Sequence, residues 1–451
     1  MQTKTLFGTD GVRGKANTEL TPELAYNLGR AGAYVLTKAN NSPPNILTGT
    51  DSRISGDMLE AALIAGMCSV GASVASAGIL PSPAIAYLTR KNKFDAGVII
   101  SASHNVFSDN GIKFFSNTGY KLTDETEAEI EALIADPTTI PRVLGENVGK
   151  RLPAANFATE YANYLKNIIT TDFSGLKIAL DCANGATSFI APELFTNLGA
   201  NVVTINNAPN GININANCGS THPEGLVEAV KAHSCDIGIA FDGDGDRLIC
   251  VDETGKIIDG DHFMAICGLH MKETNSLPHN TIVTTVMSNF GLFEMAKKHN
   301  LTLEQTAVGD RYVLERMLAG GFAIGGEQSG HIIFSKHATT GDGILSALML
   351  VSIMKTKAQP LSQLTNVLEL FPQVLVGAKV PNDKKQLYKN NATIQSSIEQ
   401  LNEKYQGVGR ILVRPSGTEP LVRVMIEGKN LAEITNDAKN LAAEIEKLSN
   451  S

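Results

Sequence analysis

Short runs of β-branched residues alternate with helix-forming segments along this chain of 451 residues. That alternation restricts the classes of fold that the chain can adopt. The runs end in Gly, Asn or Asp and lie at residues 97–100, 176–181, 201–206, 236–241 and 281–286. The helical spacing of apolar residues predicts helices at 22–37, 57–71, 123–136, 186–199, 224–233, 289–299 and 429–448. Strands that alternate with helices predict an α/β protein with largely parallel sheets.

The length of the chain predicts several domains. A prior of about 150 residues per domain gives about three compact units, and polar or Pro-containing stretches allow a division into four. We place the domains at 1–155, 156–255 and 256–369, with a smaller C-terminal unit at 370–451.

The charge balance and the cysteines exclude several classes of protein. The chain carries 38 Lys and Arg against 46 Asp and Glu, a formal net charge of −8, without the basic excess typical of nucleic-acid binding. Its six cysteines include no CxxC pair, which argues against a disulfide framework or a zinc ribbon. The longest apolar stretch, 344–354, is far below the roughly 18 residues of a membrane span and predicts a buried helix. We expect a cytoplasmic protein that binds neither nucleic acid nor a membrane.

The first of four polar loops, residues 101–115, directly follows a predicted strand. Open α/β folds bind their ligands at the carboxyl ends of strands. Here Ser103 is a candidate nucleophile, His104 a candidate proton donor or phosphate contact, and Lys113 a cation for an anionic group. A solvated serine turn is the alternative. A Ser-His-Asp hydrolase is disfavoured, because adjacent Ser and His cannot form the nucleophile–base pair and no GxSxG motif surrounds them.

The second loop, DGDGDR at 242–247, alternates carboxylates with glycines. Asp242, Asp244 and Asp246 can converge because the glycines relieve crowding, and three carboxylates so close repel one another unless a cation is present. Hard oxygen ligands suit Mg²⁺ or Ca²⁺. We reject an EF-hand, since Arg247 replaces the glycine at the sixth position and strands flank the loop.

The third loop, GGEQSGH at 325–331, again follows an apolar run. Glu327 and Ser329 can bind sugar hydroxyl groups, and His331 can act near a reacting oxygen. The alternative interpretation is a glycine-rich turn in which the Glu side chain is hydrogen-bonded to the protein itself.

The fourth loop, RPSGTEPLVR at 414–423, is rich in hydrogen-bond donors. Arginine forks and backbone N–H groups of this kind bind a phosphate dianion. The candidate ligands are Arg414, Ser416, Gly417, Thr418 and Arg423. The spacing is not that of a nucleotide P-loop, and a surface β-turn is the alternative.

A fifth motif, FGTDGVRG at 7–14, places Arg13 in a glycine-framed turn, and GTDSRISG at 49–56 weakly repeats it. Taken together, the motifs offer a hydroxyl nucleophile, a hard-metal site, a polyol-binding loop and a phosphate site. These are the parts that phosphoryl transfer on a phosphorylated sugar requires.

The five motifs in this order, over essentially the whole chain, resemble the α-D-phosphohexomutase superfamily. The opening motif, the GEQSGH form of the third loop and CGSTHPEGL at 218–226 are similar to the bacterial phosphoglucosamine mutase branch. The resemblance implies three related α/β domains with mixed or parallel sheets and a smaller, mobile α+β domain around a central cleft. It further implies that the domains carry, in order, the phosphoserine loop, the Mg²⁺ loop, the sugar loop and a phosphate-binding loop.

The resemblance also assigns roles to residues. Ser103 would be phosphorylated, and its phosphate would hold one Mg²⁺ together with Asp242, Asp244 and Asp246. The groups around the transferred phosphoryl would be Arg13, His104, Lys113 and Arg247, with Lys113 or His331 as general acid or base. Glu327 and Ser329 would bind sugar hydroxyls, and the donors of the fourth loop would hold the phosphate that does not react.

The implied reaction interconverts glucosamine 6-phosphate and glucosamine 1-phosphate through a 1,6-bisphosphate, with a hexose or hexosamine 1,6-bisphosphate as activator. The expected partner is a small phosphosugar, a homodimer is possible, and supply of peptidoglycan precursors follows from the branch alone. Glucose or mannose phosphate is the alternative substrate, and a phosphosugar phosphatase or a noncatalytic sensor is the alternative function. The chain departs from the family in having Val106 where proline is usual, which removes a restraint on the serine loop.

Overall fold

The structure, a computed structural model, describes residues 6–8, 10–38, 43–416 and 419–450. These residues form four β-sheets with flanking helices and divide into two compact units. The first unit lies within Met1–Met287 and Leu301–Asn366, and the second within Ser288–Asn300 and Val367–Ser451. The predicted α/β class is confirmed, with three larger sheets and a small C-terminal one. The prediction that the sheets are largely parallel is wrong, because each of the three larger sheets contains antiparallel strands that return through short connections.

The first sheet and its helices contain the serine loop. Its strands are β1 (Phe7–Gly8), β2 (Gly11–Lys15), β3 (Asn45–Thr50), β4 (Ser73–Ile79), β5 (Ala96–Ile100) and β6 (Asp109–Ser116). Its helices are α1 (Pro22–Thr37), α2 (Gly56–Cys68), α3 (Ser82–Lys91) and α4 (Asp124–Ala135). The strand order is β1-β2-β6-β5-β3-β4. The sheet is mixed, since β3 pairs in parallel with β4 and β5, while β6 is antiparallel to β5 and β2.

The second sheet positions the aspartate loop. Its strands are β7 (Lys177–Asp181), β8 (Asn201–Ile205), β9 (Ile237–Phe241), β10 (Leu248–Asp252) and β11 (Ile257–Ile258), in the order β11-β10-β9-β7-β8. The helices are α5 (Phe157–Ile168), α6 (Ala191–Asn197) and α7 (Glu224–His233). The helix predicted at 186–199 is wrong in its first turn, which is a 3₁₀ turn at Ala186–Phe189. Pro192 lacks an N–H, so a continuous α-helix cannot form there.

The third sheet positions the third loop, residues 325–331, between two short strands. The strands are β12 (Thr281–Thr285), β13 (Thr302–Thr306), β14 (Ile324–Gly326) and β15 (Ile332–Phe334), in the order β13-β12-β14-β15. The helices in this part of the chain are α8 (Gly260–Glu273), α9 (Phe290–Lys298), α10 (Asp310–Gly320), α11 (Gly343–Lys357) and α12 (Leu361–Leu364). The apolar stretch 344–354 lies inside α11 and is largely buried, as predicted.

The second unit combines α9 with the C-terminal sheet. Its strands are β16 (Gln373–Lys379), β17 (Gly409–Pro415) and β18 (Leu421–Gly428), all antiparallel in the order β16-β18-β17, and its other helices are α13 (Ala392–Tyr405) and α14 (Leu431–Asn450). The buried Glu427 carboxylate in β18 accepts hydrogen bonds from Arg410 Nε (2.6 Å) and from the backbone N–H of Phe290 (2.9 Å). One buried anion thus binds the start of α9 to the sheet.

Among the described residues, no helix combines the length and the apolar content that a membrane crossing requires.

Candidate active site

Ser103 lies in the loop that follows β5 and is almost completely buried, with 1% of its surface exposed. Its Oγ donates a hydrogen bond to Asp242 Oδ2 (2.6 Å), and His104 Nδ1 lies 3.5 Å from Ser103 Oγ. Its φ is +51°, a left-handed conformation that costs a non-glycine residue about 1–2 kcal/mol. Such strain persists only where surrounding contacts enforce it.

The β9–β10 hairpin presents the three aspartates at one end of the second sheet. Asp242, Asp244 and Asp246 each offer a carboxylate oxygen, and these oxygens all lie within 4.8 Å of one another. The hairpin also lies close to the serine loop, since a Cβ added to Gly243 would be 2.6 Å from the Ser103 carbonyl oxygen. Glycine is therefore required where the two loops meet.

The aspartate cluster fits a hard divalent cation. Asp244 Oδ1 and Asp246 Oδ1 are buried and accept no hydrogen bond from any described residue. Burial, together with the charges of Asp246 and Asp244, raises the pKa of Asp242 well above its usual value. A cation relieves both costs, and oxygen ligands of this type are those that Mg²⁺ prefers.

Lys113, on β6, is buried among carboxylates. Its Nζ lies 2.9 Å from both Asp10 Oδ2 and Asp244 Oδ2, and 4.0 Å from Asp246 Oδ2. Burial alone lowers the pKa of a lysine, but the three carboxylates more than offset it and raise the pKa of Lys113 above its usual value. Lys113 is therefore held as a cation, which suits charge stabilisation better than proton abstraction.

Two arginines and a histidine lie beside the serine and the aspartates. Arg13 Nε and Arg247 Nε are buried donors without a hydrogen-bond partner among the described residues, although Arg247 Nε lies 3.8 Å from Asp246 Oδ1. Burial, then the charges of Arg247 and Arg13, lower the pKa of His104 to about 4. At neutral pH His104 is thus uncharged, and two cationic donors are available to an anion next to it.

The third loop contributes three candidate side chains of different exposure. His331 is buried, Glu327 is half-buried and Ser329 is exposed. Glu327 Oε1 accepts the backbone N–H of Gly309 (3.0 Å). His331 Nε2 accepts the N–H of Gly341 (2.9 Å), so the proton of the neutral ring lies on Nδ1, which faces Asp246 Oδ2 at 3.5 Å.

The fourth loop, in the second unit, places two arginines opposite each other. Arg414 on β17 pairs in register with Arg423 on β18, and like charges at such positions repel. Burial, then the charge of Arg423, lower the pKa of Arg414, whose Nε is a buried donor with no hydrogen-bond partner among the described residues. Ser416 is buried nearby, whereas Gly417 and Thr418 lie outside the described residues. A bound anion would relieve the repulsion.

Several residues that contact the predicted site were not predicted from sequence as site residues. Asp10 and Asp310 both pair with the half-buried Lys121, and Ser82 Oγ donates to Asp244. A second group touches the serine loop and consists of Asp51, Arg53, Ser101 and Asn215. Ser101 begins the first loop, and Asp51 and Arg53 lie in the segment 49–56 that weakly repeats the fifth motif, so these positions carried a sequence signal.

Family models for phosphoglucomutase/phosphomannomutase match most of the chain. The models for alpha/beta/alpha domains I, II and III match residues 4–140, 159–255 and 259–371, and the C-terminal domain model matches residues 375–445. The chain belongs to this family. The resemblance stated from the five motifs is thereby confirmed.

Curated relatives match over nearly the full length. The phosphoglucosamine mutase of Ruminiclostridium cellulolyticum is 56% identical over 442 residues, which cover 98% of each chain. That of Clostridium novyi is 54% identical over 446 residues, 99% of each chain.

Solved structures share the fold at lower identity. A phosphoglucomutase/phosphomannomutase family protein from Burkholderia thailandensis aligns with a TM-score of 0.80 at 23% identity, covering 98% of this chain and 97% of that chain. The N-acetylphosphoglucosamine mutase of Aspergillus fumigatus, solved with GlcNAc-6P and magnesium, aligns with a TM-score of 0.71 at 18% identity, covering 99% and 96%.

Proposed function

We propose that this chain is a phosphoglucosamine mutase that interconverts glucosamine 6-phosphate and glucosamine 1-phosphate. Its curated relatives of that name are more than half identical over almost the whole chain. The observation that carries the chemistry is the buried Ser103 hydroxyl, 2.6 Å from a carboxylate of the candidate cation site. Two arginine Nε donors lie close to it and have no hydrogen-bond partner among the described residues. This arrangement supports phosphoryl transfer through a phosphoserine.

The proposed step moves one phosphoryl group from phosphorylated Ser103 to the free hydroxyl of a hexosamine phosphate. The bond from phosphorus to Ser103 Oγ breaks, a bond from phosphorus to the sugar oxygen forms, and the hydroxyl proton passes to Oγ. His104 is uncharged at neutral pH and lies 3.5 Å from Oγ, so it can relay that proton. The 1,6-bisphosphate then turns and returns its other phosphoryl group to Ser103.

The charged residues lower the energy of this step by stabilising the phosphoryl oxygens. Arg13 and Arg247 offer Nε donors that bind no other group by a hydrogen bond in the described part of the chain, and Lys113 adds a fixed positive charge. Asp242, Asp244 and Asp246 would hold Mg²⁺, which when bound supplies further positive charge at the phosphoryl group. These donors are in place before substrate binds, so little reorganisation is needed.

We assign substrate binding to the sugar loop and the fourth loop. Glu327 and Ser329 are polar side chains accessible to sugar hydroxyls, and Arg414 and Arg423 form a donor pair suited to the phosphate that does not react. A trace of hexose or hexosamine 1,6-bisphosphate would phosphorylate Ser103 and so act as activator. We place the reaction in the cytoplasm, as the sequence predicts.

³¹P NMR tests the proposal. The protein with Mg²⁺, glucosamine 6-phosphate and a trace of glucose 1,6-bisphosphate is expected to equilibrate the 6- and 1-phosphates faster than it converts glucose 1-phosphate or mannose 1-phosphate. Ser103→Ala should abolish turnover, because no other group receives the phosphoryl, and Ser108→Ala on the same loop serves as control.

The spectra separate the alternatives. Faster conversion of glucose or mannose phosphate would identify that sugar phosphate as the preferred substrate. Inorganic phosphate as the main product would show that the protein is a phosphatase. Turnover by Ser103→Ala would overturn the phosphoserine mechanism. No turnover by phosphorylated wild-type protein would indicate a sensor.

A further inference from the structure

We infer that Arg53 is a positioning residue that holds the Ser103 loop in the conformation required for phosphoryl transfer. The inference rests on the proposed phosphoserine mechanism and adds to it a residue that the five motifs do not include. Arg53 follows β3 and is buried, with its side chain fully inaccessible to solvent.

Arg53 binds the serine loop through several backbone carbonyls at once. Its Nη2 donates to the carbonyl oxygens of Ser103 (3.0 Å) and Asn105 (2.8 Å), and its Nη1 donates to those of Val106 and Asp109 (3.0 Å). Four carbonyls of one loop therefore converge on a single guanidinium. Only the planar fork of arginine can satisfy them together, since lysine has one nitrogen.

Asp51 fixes the guanidinium and also reaches the other side of Ser103. Its Oδ2 accepts from Arg53 Nε (2.9 Å) and from Ser101 Oγ (2.6 Å). Ser101 Oγ in turn accepts the backbone N–H of Ser103 (2.9 Å). The N–H and the carbonyl of Ser103 are thus both connected to the same Asp51–Arg53 pair.

Asn215 completes the arrangement from the second sheet's side of the site. Its Nδ2 donates to the carbonyl oxygens of Ser103 (2.8 Å) and Asn105 (2.9 Å), which Arg53 also binds. The serine loop is therefore bound both to the segment after β3, which contains Arg53, and to the segment between β8 and α7, which contains Asn215. These contacts hold the Ser103 side-chain hydroxyl beside the aspartate cluster.

The need for such contacts follows from the conformation of the loop. Ser103 has a φ of +51°, and Val106 provides no fixed φ of the kind a proline would. A displacement of about 1 Å at a reacting group can cost about 100-fold in rate. Hydrogen bonds from Arg53 supply the restraint that the local sequence lacks.

The test compares Arg53→Lys with Arg30→Lys, a matched control in which a buried arginine also donates to a carbonyl, that of Ile140. For Arg53→Lys we expect kcat to fall about 100-fold with KM changed less than about threefold. Phosphorylation of Ser103 by glucose 1,6-bisphosphate, followed by intact mass, should slow by the same factor. Hydrogen exchange of residues 101–109 should quicken about tenfold, and Arg30→Lys should change none of these quantities.

The results distinguish failure of the proposed function from failure of the inference about Arg53. If Ser103 of the wild-type protein is never phosphorylated by glucose 1,6-bisphosphate, the proposed function fails, while the hydrogen-exchange rates of residues 101–109 still show whether Arg53 restrains the loop. Unchanged exchange in Arg53→Lys, or a kcat within threefold of wild type, overturns the inference. If Arg53→Lys does not fold, Asn215→Ala takes its place, with an expected tenfold loss of kcat at constant KM, and a wild-type kcat in that variant equally overturns it.

Discussion

Lys113 shows how burial and charge combine at single residues of this protein. An isolated buried amine loses its charge, but here Asp10 and Asp244 each place an oxygen 2.9 Å from Nζ. The carboxylates in turn avoid mutual repulsion because the lysine lies between them. The site is therefore an arrangement of paired charges in which a few atoms have no hydrogen-bond partner among the residues that the structure describes. Those atoms are the ones available to ligands.

Asp342 carries a pH-dependent contribution to stability. It caps α11 by accepting the N–H of Leu345, and its other oxygen accepts the hydroxyl of Tyr161 (2.6 Å), with Tyr164 also near. Burial raises the pKa of Asp342 to about 6. The folded protein thus binds this proton more tightly than the unfolded chain does, so the contribution is present below about pH 4 and is lost as pH rises to about 6.

We therefore predict that the stability of the Asp342→Asn variant, relative to wild type, increases as pH rises. Asparagine keeps the helix cap and cannot ionise. Relative to wild type, the midpoint of thermal unfolding of the variant should rise by about 5 °C between pH 4.5 and pH 7.5, corresponding to about 2 kcal/mol. Scanning calorimetry at the two pH values measures it, and a pH-independent difference would contradict the assignment.

At the scale of elements, the packing of α1 on α2 depends on two glycines. A Cβ on Gly66 would lie 2.0 Å from the Tyr26 carbonyl oxygen, and one on Gly29 would lie 2.2 Å from that of Leu63. The two helix backbones are in direct contact at these points. This packing covers one face of the sheet that contains the serine loop.

We predict that Gly66→Ala destabilises the first unit by about 3 kcal/mol, because the helices must separate to admit a methyl group. The unfolding midpoint should fall by at least about 5 °C. Gly225→Ala is the matched control, since Gly225 lies in α7, a Cβ added there would have no atom within 4 Å, and alanine favours helix. An unchanged midpoint in Gly66→Ala would mean that the helices can shift at little cost.

At the scale of the molecule, the candidate cation site lies where the first two sheets meet. The aspartates lie between β9 and β10, while their partners Ser82, Ser103 and Lys113 belong to the first sheet and its connections. Ligand binding to such a site stabilises both parts together.

We predict that Mg²⁺ at about 100 times its Kd stabilises the first unit by about 2.7 kcal/mol relative to protein in EDTA. Hydrogen exchange should slow in β5 and β9 and stay unchanged in β18. Asp244→Asn should remove the effect, whereas Asp252→Asn, a buried aspartate at the far end of β10, should keep it. Equal slowing in wild type and Asp244→Asn would place the cation elsewhere.

Most of the predicted helices follow from local sequence. The helices predicted at 22–37 and 224–233 have those bounds in the structure, because capping and apolar spacing are properties of neighbouring residues. The helix at 186–199 was interrupted, as Pro192 acts against its apolar pattern. The domain boundaries that we placed at 155, 255 and 369 stay predictions.

The sequence by itself determined the α/β class, the family and the loops that carry the candidate site residues, because strand–helix alternation and contiguous motifs are encoded in adjacent residues. Tertiary structure alone decided which distant groups meet. Arg53 and Asn215 are 50 and 112 residues from Ser103, yet they bind the same carbonyl oxygen. No spacing rule connects such residues, because their contact depends on the positions of β3, β5 and β7 within their sheets. Those positions are set by the packing of the whole chain.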